Sequence, residues 1–318
     1  MLAPAQNDSK PWMTKDNNQD RQATDRAQKA DDDPTKFVEW YQPTVKSLSE
    51  STVGFFENYV GIRGEEAIRS RTYRVRDMAW KVLPYPCIGL FRFLDFSIHL
   101  TPDYSAVVKR VQEGATLLDL GCCFGQDLRK LAFDAGPGTS TRNLIGTDVE
   151  PTFLQLGYEL FGDRDRLEAT FVPGDVFAED FLADYRGKVD VVYLGSFLHL
   201  FSEPQQRTVV KQLRRLLRPC AGSMVFGRNL GAVKGGPFRM ESIGWDLYRH
   251  DPETIANLFQ SSCDEEERLN SSGGDNKSKV RWEVTSSLSR YGSANWDDDR
   301  RGWQGNETKQ MMFTATRL

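Results

Sequence analysis

Histidine, patterned cysteine, long apolar runs and an excess of either charge are what this 318-residue sequence lacks. No stretch approaches the roughly 20 apolar residues that a membrane-crossing helix needs. The opening MLAPAQNDSKPWMTKDNNQD has no apolar centre of the kind a secretion signal carries. A cytoplasmic protein with no membrane span is therefore expected. Lys and Arg number 41 against 45 Asp and Glu, a net charge of −4. That balance exerts no general pull on nucleic acid or an anionic surface, so no nucleic-acid partner is expected. The five cysteines, Cys87, Cys122, Cys123, Cys220 and Cys263, are odd in number and fit no zinc spacing. Reduced thiols and no metal site follow. Cys122 and Cys123 read as small packing residues beside a tight turn rather than as a redox pair.

Three regions follow from the patterning. Residues 1–34 are polar, end in Asp31, Asp32, Asp33 and Pro34, and bury too little to fold, so a disordered tail is predicted. Residues 35–113 read as helical. Val53, Phe56, Tyr59 and Val60 fit one helix face. Tyr104, Val107, Val108 and Val111 make a second stripe, closed by Gly114. Between them LPYPCIGLFRFLDF, aromatic and broken by Pro84 and Pro86, suggests a helical cap over something apolar. From 114 to 318 the pattern alternates. TLLDLG, NLIGTDV, ATFVPGDV, VDVVYLG and SMVFGRN are short, apolar and β-branched, as strands buried on both faces should be. Helices are predicted after Gly125, from Pro151, and after the capping box of Ser202 to Gln205. Alternation of this kind implies right-handed crossovers and a mostly parallel sheet. VRWEVTSSLSRY and KQMMFTATRL read as a closing antiparallel pair, and DEEERLNSSGGDNKSK (264–279) as a solvated loop.

Ligands of an open α/β sheet bind beyond the carboxyl ends of its strands, where strand order reverses. The first strand here ends at Asp119, followed by Gly121 and Gly125. Carboxylates recur at the ends of the next two strands, Asp148 and Asp175. Each lies about one strand–helix unit on, so all three fall on one edge of the sheet. A carboxylate at the second strand end suits a ribose diol, because each oxygen can accept a hydroxyl hydrogen. A nicotinamide site would ask for G-x-G-x-x-G. Aligned from Gly121, those positions hold Gly121, Cys123 and Gln126, so two glycines fail. Asp119 would repel a pyrophosphate yet welcome the ammonium and sulfonium of S-adenosylmethionine. A dehydrogenase and a non-catalytic cofactor-binding protein remain the competing readings.

LLDLGCCFGQD, LIGTDVEP, VPGDVF and VDVVYLGSFLHLF, in that order, resemble the motifs of class I methyltransferases over roughly residues 105–230. The closing strand pair agrees with the reversed seventh strand of that Rossmann-like, seven-stranded fold. YPCIGLFRFLDF, LGCCFGQDLR and LGYELFGDR further resemble fungal methyltransferases of secondary metabolism, notably of meroterpenoid pathways, over about 37–260. The resemblance implies that Asp119 and the Gly121 turn face the methionine part and that Asp148, with Val149 beside it, holds the ribose. It implies that Asp175 and the Val176 backbone hold the adenine with Phe177 against its ring, and that the Gly195 carbonyl meets the ammonium. Cys123 departs from the class pattern, which has glycine there, and leaves open how closely the backbone passes the cofactor.

A carboxylic acid is already ionised at neutral pH, whereas a phenol usually needs a base. His199, in SFLHLF after the fourth strand, is the candidate base or positioning group. Its alternative is a packed, capped histidine. Tyr85, Phe91, Phe93 and Phe96 suggest a large apolar small-molecule acceptor, and Arg92 among them is a candidate partner for an acceptor carboxylate. The meroterpenoid resemblance favours methyl ester formation; a phenol acceptor is the alternative. A homodimer is compatible with the sequence.

Overall fold

The run Leu117–Leu120 forms β1, buried along its whole length. It lies between β2 (Leu144–Asp148) and β4 (Val191–Gly195), both parallel to it. The computed structural model describes residues 34–240, 244–270, 281–292, 305 and 307–318. All but Pro34 of the tail expected to be disordered lies outside them. With β3 (Thr170–Pro173), β5 (Met224–Ala232), β8 (Trp282–Arg290) and β9 (Thr308–Arg317), the sheet runs β3-β2-β1-β4-β5-β9-β8. Only β9 is reversed, antiparallel to both β5 and β8. The expected mostly parallel sheet with a reversed last strand is thus present. The chain leaves β1 toward β2 and β3 and returns to β4 on the other side. That reversal opens a crevice at the carboxyl ends of β1 and β4.

Local chemistry sets the helices that frame this crevice. Helix α5 (Gln126–Ala135) starts after the left-handed Gly125. Helix α6 (Pro151–Phe161) begins with Pro151, is capped by the Glu150 side chain and ends at left-handed Gly162. Helix α7 (Glu203–Leu216) carries the Ser202–Gln205 capping box and buries Val209, Val210, Leu213 and Leu216.

The N-terminal region holds four helices, α1 (Glu50–Phe55), α2 (Glu65–Val82), α3 (Pro86–Gly89) and α4 (Tyr104–Gln112). A single π turn, Phe56–Val60, continues α1 and rotates its apolar face, so that Phe55 and Phe56 are buried while Tyr59 and Val60 are half-buried. Phe91, Phe93 and Phe96 are buried in one cluster with Trp80, Phe124 and Phe153. These cap aromatics therefore form a core against α6 and the β1–α5 loop, not an open wall for an acceptor.

Two features depart from the sequence reading. Helix α8 (Pro252–Asn270) extends into the segment expected to be a solvated loop. Its amphipathic start supplies Ile255, Leu258 and Phe259 to the core, and the helix continues through the charged run that follows. A hairpin of β6 (Gly236–Met240) and β7 (Trp245–Arg249) also follows β5 as a separate two-stranded sheet. Among the described residues no helix is long and apolar enough to cross a membrane.

Candidate active site

The loop from β1 to α5 is pinned from three sides. The amides of Gly121 and Cys122 both donate to the Thr147 carbonyl of β2, at 2.8 and 3.0 Å. The Cys123 amide donates to Asp148 Oδ2 at 2.9 Å. Arg129 of α5 reaches back with Nη1 to the carbonyls of Phe124 (2.6 Å) and Gly125 (3.2 Å). At Gly121 a side chain would fall 2.5 Å from the Phe197 ring, which covers the turn. Cys123 holds a left-handed φ of 53°, a conformation that favours glycine. Its side chain joins the cap cluster instead of facing solvent.

Asp119 lies one residue before the end of β1, 2 % exposed, and its Oδ2 has no hydrogen-bond partner among the described residues. Burial, then the charges of Asp127 and Asp148, pushes its pKa well up. A buried carboxylate oxygen left unmet at a glycine turn is what an ammonium group satisfies. Asp148 accepts the Glu150 amide at Oδ1 (3.0 Å) and the Cys123 amide at Oδ2. Burial raises its pKa against those bonds. Each oxygen retains a lone pair for a ribose hydroxyl. These features fit S-adenosylmethionine.

The ends of β2 and β3 are joined by the Gly174 amide on the Asp148 carbonyl, 3.0 Å. Val149 is 67 % exposed there, and Phe177, also exposed, meets Phe201 edge-on at 5.1 Å. Exposed apolar side chains at this edge suit a purine ring. Asp175 is itself exposed and caps the Phe177 amide at 2.9 Å, while the Val176 side chain turns into the core. Gly195 closes β4 beside Arg228 of β5, and Ser196 follows at φ 63°.

His199 sits in the short helical turn after β4 (Leu198–Leu200). Its Nδ1 lies 3.3 Å from the Leu230 amide nitrogen and 3.4 Å from Asn229 Oδ1. Burial, then Arg249, lowers its pKa to about 3, with Arg228 and Arg92 adding to the effect and a bond to Asn229 opposing it. The ring is therefore neutral at physiological pH. Asn229 holds the turn by accepting the Phe197 and Leu198 amides at 3.1 and 3.0 Å. Arg92 is buried, with Nε 2.7 Å from Asp95 Oδ2 and Nη1 donating to the Tyr291 hydroxyl at 2.7 Å. Arg228 Nη2 lies 3.6 Å from the same Asp95 oxygen. Of the expected acceptor-lining residues, only Tyr85 is half-buried.

Arg129, Asn229, Arg228 and Arg249 had not been singled out in the sequence. Arg228 could have been: a charged residue in SMVFGRN, a strand buried on both faces, is itself a signal. Arg249 and Arg129 carry no such mark.

Residues 40–94 match a family model described as a meroterpenoid methyltransferase N-terminal domain, and residues 117–220 match a methyltransferase domain. The chain is 36% identical over 291 residues to O-methyltransferase atr3 of Stereocaulon alpinum, covering 89% of this chain and 77% of that one. It is 40% identical over 232 residues to O-methyltransferase phiE of a fungal species, covering 71% and 75%. The Asnovolin E/Chermesin D methyltransferase nvfJ of Aspergillus novofumigatus is 36% identical over 202 residues, covering 63% and 71%. Among solved structures, phosphoethanolamine N-methyltransferase 2 of Haemonchus contortus in complex with S-adenosyl-L-methionine aligns with a TM-score of 0.46 at 13% identity, over 85% of this chain and 60% of that one.

Proposed function

This chain belongs to the fungal S-adenosylmethionine-dependent O-methyltransferases of secondary metabolism, and from that premise we propose that it esterifies a carboxylate of an apolar polyketide or meroterpenoid acceptor. The observation that supports this reading is the packing of the His199 turn against β5 and β7, which carry Arg228 and Arg249, through the Leu230 and Tyr248 amides; burial there lowers the imidazole pKa to about 3. An imidazole with a pKa about 3 gives little help in taking a proton from a phenol near 10. A carboxylate needs no base, and guanidinium groups at the end of β4 favour an anion there.

The cofactor, when bound, supplies a methyl group on a sulfonium, whose departure to an anionic oxygen leaves a neutral thioether. The protein's share is to hold and align. Asp119 takes the ammonium, with the Gly195 carbonyl as a second acceptor. Asp148 takes the ribose hydroxyls through the oxygens that the Cys123 and Glu150 amides already orient. Val149 and Phe177 flank the adenine, with the Val176 backbone and Asp175 at its edge. Gly121 and Gly125 keep the loop low enough for the cofactor to lie on it, and Cys123 ties that loop to the cap. Arg92 fixes Tyr291 and Asp95 on the acceptor side. His199 positions the acceptor as a neutral ring rather than taking its proton.

The test is incubation with methyl-labelled cofactor and matched acidic and phenolic polyketides, followed by mass spectrometry and mild alkali. Label released by alkali marks an ester. Label retained, as an aryl ether would retain it, rejects the reading.

A further inference from the structure

A cleft of about 280 Å³ opens beyond the end of β5, lined by Ala232, Lys234, Pro237, Phe238, Arg249 and Glu307 among others. Its volume is at the low end of ligand clefts. The β6–β7 hairpin makes one side of it, and that hairpin lies outside both segments matched by the family models.

Arg249 connects this cleft to the turn after β4. It is 5 % exposed and lines the cleft, with its guanidinium 3.4 Å from the centre of the Phe238 ring. Nη1 donates to the Thr308 hydroxyl at 2.6 Å. The same guanidinium is the leading charge on His199. The backbone explains the proximity. The Tyr248 amide donates to the Phe201 carbonyl at 3.0 Å, so β7 lies along the turn that carries His199. The Ala232 amide donates to the His250 carbonyl, also at 3.0 Å, and ties the end of β5 to the end of β7.

A buried amide lies on the same strand, β5, as Ala232. Asn229 is 3 % exposed, its Oδ1 serves the His199 turn, and its Nδ2 has no hydrogen-bond partner among the described residues. A guanidinium offers only hydrogens and selects an anionic acceptor. The apolar walls select a hydrophobic body behind it.

We propose that Arg249 binds the acceptor carboxylate and that the apolar body of the acceptor occupies the cleft of Ala232, Pro237 and Phe238. This assignment rests on the carboxylate reading above. Arg92 and Arg228 share Asp95 and act as the buried support of this site. Burial lowers the Arg249 pKa to about 10, so it keeps its charge at neutral pH.

The full chain loaded with S-adenosylhomocysteine is titrated calorimetrically with 1-naphthoate and with methyl 1-naphthoate. The wild type is expected to prefer the acid. Arg249→Met is expected to lose on the order of ten- to hundred-fold in affinity for the acid and to bind the ester as the wild type does. Arg249→Lys, which keeps the charge but not the fork, should fall between them. If Arg249→Met does not fold, Ala232→Leu, which fills the cleft, is expected to weaken acid and ester alike. No acid binding by the wild type, or unchanged acid affinity in Arg249→Met or Ala232→Leu, overturns the assignment. The carboxylate reading fails separately: the wild type would then methylate phenols and leave acids untouched, whatever Arg249 binds.

Discussion

Arg129 and Asp163 form a two-point ion pair, 2.7 and 3.0 Å, with both side chains wholly shielded from solvent. The same guanidinium holds the Phe124 and Gly125 carbonyls, and the same carboxylate accepts the Tyr59 hydroxyl of the cap at 2.7 Å. One pair thus joins the cofactor loop, α5, the end of α6 and the cap.

Removing one member of that pair should cost far more than removing both. Arg129→Met leaves a buried carboxylate without its partner and is expected to lower unfolding free energy by about 3–5 kcal/mol. Arg129→Met combined with Asp163→Leu should recover a large part of it. Urea denaturation of the single and double variants measures the difference, and equal losses would contradict the account.

Asp119→Asn should stabilise the empty protein while weakening the holo form. The native pKa of Asp119 lies above its ordinary 3.8, so the folded state keeps a proton that the unfolded chain releases. Its contribution to stability is present below about 3.8 and is lost as pH rises through the native value. At pH 7 the neutral asparagine avoids that penalty. It also forfeits the charge-assisted bond to an ammonium, so cofactor affinity should fall on the order of ten- to hundred-fold. Calorimetric titration with S-adenosylmethionine, beside thermal melts without it, reads both effects.

His199 sets a pH signature. Its pKa falls from 6.5 in the unfolded chain to about 3 in the fold. The unfolded state therefore binds the extra proton between those values, and stability falls as pH drops below 6.5. The slope is up to about 1.4 kcal/mol per pH unit. His199→Gln should reduce it in a pH series of denaturation curves, leaving the share of His250, whose pKa burial lowers to about 4. Turnover of an acid acceptor should meanwhile show no inflection near 6.5.

Gly157 lies in α6, where a side-chain carbon would sit 2.3 Å from the Phe124 carbonyl oxygen. Gly157→Ala improves helix propensity by about 1 kcal/mol yet forces the helix off the cofactor loop. A net loss of about 1–3 kcal/mol is expected, with weaker cofactor binding, because backbone cannot step aside as a side chain can. A variant that melts at or above the wild-type temperature would count against this packing.

At Cys123, glycine and valine should part company. Cys123→Gly relieves the left-handed φ and keeps the amide that serves Asp148, so cofactor affinity should hold within about threefold, well under 1 kcal/mol. Cys123→Val puts a β-branched residue in that conformation and should cost about 1–3 kcal/mol. Thermal melts and cofactor titrations of both variants check it.

The cofactor edge was legible because it is built from local rules. A buried strand, a glycine turn and a helix fix where Asp119 points. The spacing of Asp148 and Asp175 then follows from one strand–helix unit each. The β6–β7 hairpin was not legible, since Gly236–Arg249 alternates weakly. The continuation of α8 was hidden by the charged run after Cys263, which reads as loop when composition outweighs the amphipathic start. The cap aromatics Phe91, Phe93 and Phe96 carried the right hydrophobicity but no sign of which neighbour would bury them.

Sequence by itself determined the doubly wound sheet, its cofactor and the order of carboxylates along its edge, because strand ends and turns depend on neighbours a few residues away. Only the tertiary structure decided the acceptor side. Arg92, Arg228 and Arg249 come from the cap, a core strand and a hairpin, and they meet His199 only after the chain has folded. Their charges, with burial, set its proton through space, and no local pattern records that sum.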